Sequence, residues 1–139
     1  MSAASHDKEI GAEFRRAEKS LRAAQLLFTD GLLEDTLSRT YYAILHAARA
    51  VLLAEGIRVK SHKAVRRLFG KYLIKTGKLD SLYATILAEE QDDRYLADYD
   101  VIFLPEKERV EKRLKDAEMF LKAMKDYLKG ASGLISPPL

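Results

Sequence analysis

Four polar side chains follow one face of the segment 32–55, which the spacing of its apolar residues predicts to be a helix. Arg39, Tyr42, His46 and Arg49 recur at helical intervals, so they form a single stripe. Guanidinium groups bind phosphate, a phenol ring stacks on a base, and an imidazole exchanges protons near neutral pH. The stripe therefore predicts a site for RNA or a nucleotide. Arg39 and His46 are candidate catalytic residues, and Tyr42 and Arg49 are candidate substrate-binding residues.

The same stripe also has a purely structural interpretation. Arg39 would pair with an acid of a later helix, His46 would be hydrogen-bonded at a helix or subunit interface, and Tyr42 would pack. The small residues Ala43 and Ala50 lie between the long side chains and would open a groove or admit a second subunit. Both interpretations stay open at the level of the sequence.

A second polar cluster lies in the segment 80–99. Arg94 and Asp98 are four residues apart, so on a helix they can form a surface ion pair, and Tyr99 follows directly. If this helix packs against the helix that carries Arg39 and His46, both clusters would converge on one polar site. Arg94, Asp98 and Tyr99 are therefore further candidate catalytic residues, provided that the two guanidinium groups lie close together.

A basic segment separates these two helices. The stretch from residue 56 to 79 carries eight cations and no acid, whereas 80–100 carries seven acids and one cation. Ser61 is a plausible N-cap, so His62 and Lys63 would lie at a helix start, where free N–H groups favour an anion. They are candidate substrate-binding residues, with a capping role as the alternative. The basic segment either follows an RNA backbone or pairs with the acidic segment.

Periodic apolar residues predict helices at about 7–29, 32–55, 61–77, 80–99 and 105–129. The predicted fold is all-α, an up-and-down bundle of four main helices plus a short basic helix. Gly56 would end the second helix as a left-handed C-terminal cap. The run Val101–Leu104 is expected to be a buried connection, and the polar second half of 80–99 is expected to be at least partly solvated.

Composition limits the function classes. With 139 residues, 47% of them hydrophobic, the chain is the size of one domain: a flexible N-terminus 1–6, the bundle 7–129 and a flexible tail 130–139. There is no Cys, which excludes disulfides and favours the cytoplasm. Three His without metal-ligand spacing predict no metal site and no cofactor, and no apolar run is long enough to span a membrane.

Three stretches, in the order SRTYYAILHAARAVLLAEGIRVKSHKAV, LFGKYLIKTGKL and RYLADYD, resemble the HEPN family of helical domains. The resemblance extends from about Glu13 to Leu128. It implies a four-helix bundle, a homodimer, and pairing with a small nucleotidyltransferase as a toxin and antitoxin. Many members are metal-independent RNases.

The RNase members of that family carry an arginine followed a few residues later by a histidine. Arg94 matches the arginine, but Tyr99 stands where those enzymes have the histidine. A phenol titrates near a pKa of about 10, so Tyr99 cannot replace an imidazole base at pH 7. The alternative to an RNase toxin is a non-catalytic helical dimerisation or interaction module with a structural polar network.

Overall fold

The computed structural model describes the backbone of residues 3–132 and the side chains of residues 6–130. It contains five α-helices: α1 (Ala3–Thr29), α2 (Leu33–Ala54), α3 (His62–Phe69), α4 (Ser81–Tyr99) and α5 (Lys107–Ser132). A π-helical turn, Gly70–Ile74, continues α3. The described residues form no strand, and 82% of them are helical. The predicted all-α fold is confirmed.

The terminal helices are longer than the apolar spacing predicted. Helix α1 begins before Asp7 and α5 runs past Lys129, so residues 3–6 and 130–132 are helical. The flexibility expected for 1–6 and 130–139 stays a prediction, and residues 1–2 and 133–139 lie outside the described part of the chain.

Helix α2 lies at the centre of the bundle, where it packs against α1, α3, α4 and α5. Its apolar face is completely buried, as at Leu37, Ile44 and Leu52. Ala43 and Ala50 are also completely buried, so they lie between helices and do not themselves line a groove. The reason is that α2 is surrounded, and small side chains on a second face let neighbouring helices approach closely. The polar stripe therefore borders a seam between helices rather than open solvent.

Local signals place the helix ends close to their predicted positions. Gly56 has a positive φ of 82° just beyond α2, which confirms the predicted left-handed cap. Ser61 is the N-cap of α3, and its Oγ accepts a hydrogen bond from the backbone N–H of Ala64 at 3.0 Å. This cap fixes the start of α3 and hence the position of His62.

The second half of α4 is partly solvated, as predicted, because Asp92, Tyr95, Asp98 and Tyr99 are exposed. It nevertheless buries two of its acids: Glu90 is completely buried and Asp93 is 2% exposed. Helix α5 covers them with two arginines: Arg109 Nη2 and Arg113 Nε donate to the Asp93 carboxylate at 2.5 and 2.7 Å. Carboxylates are buried in proteins when they are paired in this way.

The connection between α4 and α5 is exposed rather than buried. Val101 is 97%, Ile102 83% and Leu104 82% exposed, so the expected buried connection is wrong. Asp100 folds the chain into a turn, because its carboxylate accepts from the N–H of Ile102 at 3.0 Å and its carbonyl accepts from the N–H of Phe103 at 3.0 Å. Phe103 is half-buried, with the Arg109 guanidinium 5.3 Å from its ring centroid, and Pro105 is buried.

Candidate functional site

Arg94 of α4 lies across the polar side of α2. Its Nη2 donates to the Tyr42 hydroxyl at 3.0 Å, and its guanidinium carbon is 5.5 Å from the ring centroids of both Tyr41 and Tyr42. Its Nε is 2.9 Å from Oδ2 of Asp98, at an angle that makes an ion pair but no hydrogen bond. The predicted pair of Arg94 with Asp98 is confirmed. Partial burial opposes the charge of Arg94, but Tyr42 and Asp98 outweigh it and raise the pKa of the guanidinium.

Asp98 holds Arg94 in place and joins α4 to α2. Its Oδ1 accepts a hydrogen bond from Ser38 Oγ at 2.6 Å, while Oδ2 faces Arg94. Ser38 was not among the predicted site residues. The signal that could have found it is its position directly before Arg39 in the stretch that resembles the HEPN family.

The imidazole beside Arg94 comes from His62, at the first turn of α3. Its ring packs edge-on against Tyr41 and Tyr42, with centroids 5.6 and 5.9 Å apart. Partial burial, reinforced by the positive charge of Arg94 and by Arg49 and His46, lowers the pKa of His62. His62 is therefore a neutral imidazole near pH 7. The sequence placed it in a separate anion site, whereas the structure joins it to the residues around Arg94.

Tyr99 completes this group, which we call the Arg94 cluster (Tyr42, His62, Arg94, Asp98 and Tyr99). The Tyr99 ring is 65% exposed, and its centroid lies 5.9 Å from the guanidinium carbon of Arg94. Tyr95 lies against it with a centroid distance of 5.0 Å. Exposed aromatic rings beside a cation provide a surface on which a nucleobase can stack.

A cavity of about 540 Å³ opens beside the cluster, between α1 and α2. We call it the α1–α2 groove; its lining consists of Arg16, Lys19, Ser20, Ala23, Arg39, Tyr42 and His46. The guanidinium carbon of Arg39 is 5.8 Å from the Tyr42 ring centroid, so one ring lies next to both Arg39 and Arg94. Among the described residues no acid pairs with Arg39, so the alternative in which it pairs with a later helix is wrong.

His46 lies in the same groove, held by Glu13 of α1. Its Nδ1 is 2.7 Å from Oε1 of Glu13, whose Oε2 is 3.4 Å from Nε of Arg49. Burial raises the pKa of Glu13, but the hydrogen bond with His46 and the charge of Arg49 more than offset this and lower it. Glu13 is therefore ionised and can only accept, so His46 Nδ1–H is the donor of this hydrogen bond. Arg49 is ion-paired, while His46 keeps Nε2 for another partner.

Lys63 lies away from the Arg94 cluster. It is exposed and lines a separate cavity with Arg66, Arg67 and Gln91. Arg66 of the basic segment pairs with Asp92 of the acidic segment at 3.6 Å, whereas Lys78 pairs with Glu55. Of the predicted site residues, the structure brings together Arg39, Tyr42, Arg94, Asp98 and Tyr99, and His62 joins them. His46 and Arg49 lie along the seam between α2 and α1. Lys63 lies apart from both groups.

Two further properties bear on the kind of site. Among residues 6–130, no three His, Asp or Glu side chains come together in the way that metal ligands do. None of the helices in the described part of the chain combines the length and apolar character that crossing a membrane requires.

Comparison with known proteins gives a consistent result. A model of the HEPN domain matches residues 12–127 of the chain. Two proteins of Methanocaldococcus jannaschii that are named as proposed toxins are similar to it. One is 37% identical over 122 residues, covering 88% of this chain and 90% of that protein. The other is 33% identical over 123 residues, covering 88% of this chain and 84% of its own length.

The match to a bacterial relative covers a similar share of the chain. A UPF0332 protein of Thermotoga maritima is 30% identical over 125 residues, which cover 88% of this chain and 95% of that protein. The matches thus extend over nearly the whole helical bundle, including both the Arg94 cluster and the α1–α2 groove.

Proposed function

Since this chain belongs to the HEPN domain family, we propose that it is a toxin that binds RNA at the Arg94 cluster and cleaves it without a metal ion. The observation that carries the proposal is a positioned cation beside a neutral imidazole. Arg94 is held by Tyr42 and Asp98, and His62 packs against the same tyrosine ring. Metal-free RNA cleavage requires these two kinds of group.

Arg94 would bind the scissile phosphate. Its guanidinium is already fixed on two sides, so little side-chain entropy is lost when it contacts a phosphate oxygen. The exposed ring of Tyr99 lies next to it and would stack on a base of the same strand. Tyr99 thus takes a binding role at the position where RNase relatives carry a histidine.

His62 would act as the base. It takes the proton of a ribose 2′-hydroxyl, whose oxygen attacks the adjacent phosphorus while the bond from phosphorus to the 5′-oxygen breaks. The products are a 2′,3′-cyclic phosphate and a 5′-hydroxyl, and the proton is returned to the leaving oxygen. Arg94 neutralises the charge that develops on the phosphate oxygens.

Incubation of labelled RNA with the purified protein in EDTA tests this function. We expect Arg94→Ala to lower the cleavage rate about 10²- to 10³-fold and His62→Gln to lower it about 10²-fold or more. Because the pKa of His62 is lowered, the rate should rise with pH to a plateau, and the midpoint of the rise should lie below pH 6.5. Arg22→Ala, a change on an exposed part of α1, is the control.

Two outcomes would contradict the proposal. Absence of cleavage by the wild-type protein removes the enzymatic function. Cleavage that persists equally in Arg94→Ala and His62→Gln assigns the activity to another site or to a contaminant.

We also propose that the chain forms a homodimer through the exposed surface next to the cluster, namely Tyr95, Val101, Ile102 and Leu104. These side chains are 61–97% exposed although all are large and apolar or aromatic. Contiguous apolar patches of this kind are typical of protein interfaces. The same observation supports the alternative of a non-catalytic interaction module.

A nucleotidyltransferase is the partner that the family relationship proposes for such a toxin. Co-expression provides the test: growth arrest by this protein alone, relieved by a nucleotidyltransferase encoded beside it, is the expected result. Arrest that the co-expressed protein leaves unchanged would contradict the pairing.

A further inference from the structure

The cations along the seam of α1 and α2 fall into two groups. At one end each faces an acid: Arg49 pairs with Glu13, and Arg58 pairs with Glu9 at 2.5 Å. At the other end lie Lys19 and Arg39, which form no ion pair with any described residue; Arg16 lies between the two groups and helps to lower the pKa of Glu13, but forms no direct ion pair with it. These three cations are the ones that line the α1–α2 groove.

The groove concentrates their charge. Arg16 and Lys19 are one turn apart on α1, and Arg39 comes from α2 on the other side of the cavity. Ser20, only 8% exposed, also lines it, whereas Arg16 and Lys19 are exposed, so the three cations line an open groove of about 540 Å³. Like charges that face one cavity repel each other, and a bound anion relieves this repulsion.

Tyr42 connects the groove to the Arg94 cluster. Its ring lines the groove and lies 5.8 Å from the guanidinium carbon of Arg39, while its hydroxyl accepts from Arg94. An anion in the groove and a phosphate on Arg94 would therefore be neighbours. Successive phosphates of one nucleic-acid strand meet this requirement, because they repeat along a continuous backbone.

We propose that the α1–α2 groove is a second subsite, in which Arg16, Lys19 and Arg39 bind the phosphodiester backbone of the RNA strand next to the scissile phosphate. This inference rests on the proposed function for the identity of the strand. It adds two residues of α1, Arg16 and Lys19, that do not belong to the Arg94 cluster. The subsite lengthens the bound segment and contributes affinity without reading the base sequence.

The salt dependence of binding tests the subsite directly. Each phosphate contact on a single strand contributes about −0.7 to the slope of log affinity against log salt concentration. The probe is a short single-stranded RNA with 2′-O-methyl riboses, which cannot be cleaved because it has no 2′-hydroxyl to attack the phosphorus. Its binding is measured by fluorescence anisotropy at salt concentrations between about 50 and 200 mM. The double variant Arg16→Gln with Lys19→Gln should reduce the steepness of the slope by about 1.4.

A matched control removes the same charge from the same helix. Arg15 and Arg22 are exposed on α1 and do not line the groove. The double variant Arg15→Gln with Arg22→Gln should leave the slope within a few tenths of the wild-type value. A dinucleotide, which is too short to occupy both subsites, should lose affinity in Arg94→Ala but not in the groove variant.

Each outcome decides between the two proposals. If Arg94→Ala weakens RNA binding but the groove variant keeps the slope of the control, the subsite is overturned and the proposed function stands. If the groove variant flattens the slope while Arg94→Ala has no effect, the groove is supported and the Arg94 site is overturned. Wild-type protein that binds no RNA overturns both and leaves an acidic protein as the occupant of the groove.

Discussion

Thr40 has one hydroxyl proton and two oxygen neighbours, the carbonyl of Leu37 at 3.0 Å and Oε1 of Glu90 at 2.8 Å. It can donate to only one of them. Both contacts are satisfied if Glu90 is protonated and donates to Thr40, which in turn donates to Leu37. Burial raises the pKa of Glu90 well above its usual range, and the hydrogen bond that Thr40 could donate to the ionised form and the charge of Arg113 oppose this only in part.

The protonated Glu90 makes the stability of the bundle depend on pH. A carboxyl whose pKa is raised by folding contributes stability that is complete below its unfolded pKa and is lost as the pH rises through its folded pKa. Glu90→Gln keeps the shape of the side chain and cannot ionise. We therefore expect the variant to become more stable than the wild-type protein as the pH rises above 4.5, with the difference growing towards alkaline pH.

Urea unfolding of both proteins across this pH range is the measurement. Glu111→Gln, at an exposed position of α5, is the control and should follow the wild-type curve. Parallel curves for Glu90→Gln and the wild-type protein would show that Glu90 is ionised inside the fold.

At the scale of the helices, α4 depends on α5 for its position. The Asp93 side chain is 3% exposed and accepts hydrogen bonds from Arg109 and Arg113. Burial raises the pKa of Asp93, but the two arginines outweigh it and lower the pKa. Asp93 is thus an ionised carboxylate that holds the middle of α4 against the start of α5, one residue before Arg94.

Asp93→Asn should lower the free energy of unfolding by about 3 kcal/mol, because it leaves the largely buried guanidinium of Arg113 and the half-exposed one of Arg109 without their shared partner. The loss should not be larger, since Arg113 keeps Glu89 at 3.3 Å and Asp116 at 3.6 Å. The control is Asp126→Asn, which removes an exposed pair with Lys122 and should cost less than about 0.5 kcal/mol. Chemical denaturation measures both, and equal losses would contradict a central role for Asp93.

The dependence of α4 on contacts with α5 explains which features could be predicted from the sequence and which could not. Helix bounds follow from local periodicity and caps, so Ser61 and Gly56 lie where the sequence placed them. The burial of Glu90 and Asp93 was missed because it depends on a covering helix that is distant in the chain. Arg109 and Arg113 occupy polar positions of α5 that resemble an ordinary solvated face.

At the scale of the whole molecule, the Arg94 cluster and the exposed turn are adjacent. Tyr99 of the cluster ends α4, and the exposed apolar side chains of Val101 and Ile102 follow it within one turn. A second subunit bound to this surface would therefore lie next to the proposed catalytic residues and restrict the path of the RNA strand.

The homodimer can be tested by replacing Val101 and Ile102 with Asp. Sedimentation velocity should show a dimer for the wild-type protein and a monomer for the double variant, because charges at the centre of an apolar interface cost several kcal/mol. The melting temperature of the monomer itself should hardly change, since both side chains are more than 80% exposed. Met119→Asp, an exposed apolar position on α5, should remain dimeric; a monomeric wild-type protein would overturn the proposal.

The sequence by itself determined the helices, the central apolar face of α2, the Arg94–Asp98 pair and the family. Each depends on residues that are close in the chain or on a motif that can be read along it. Only the tertiary structure decided that His62 joins Arg94, that Glu13 holds His46, and that the turn after Tyr99 is exposed. These contacts depend on which helix faces meet, and many arrangements of amphipathic helices bury the same apolar stripes. Polar side chains therefore acquire their partners only when the bundle has formed.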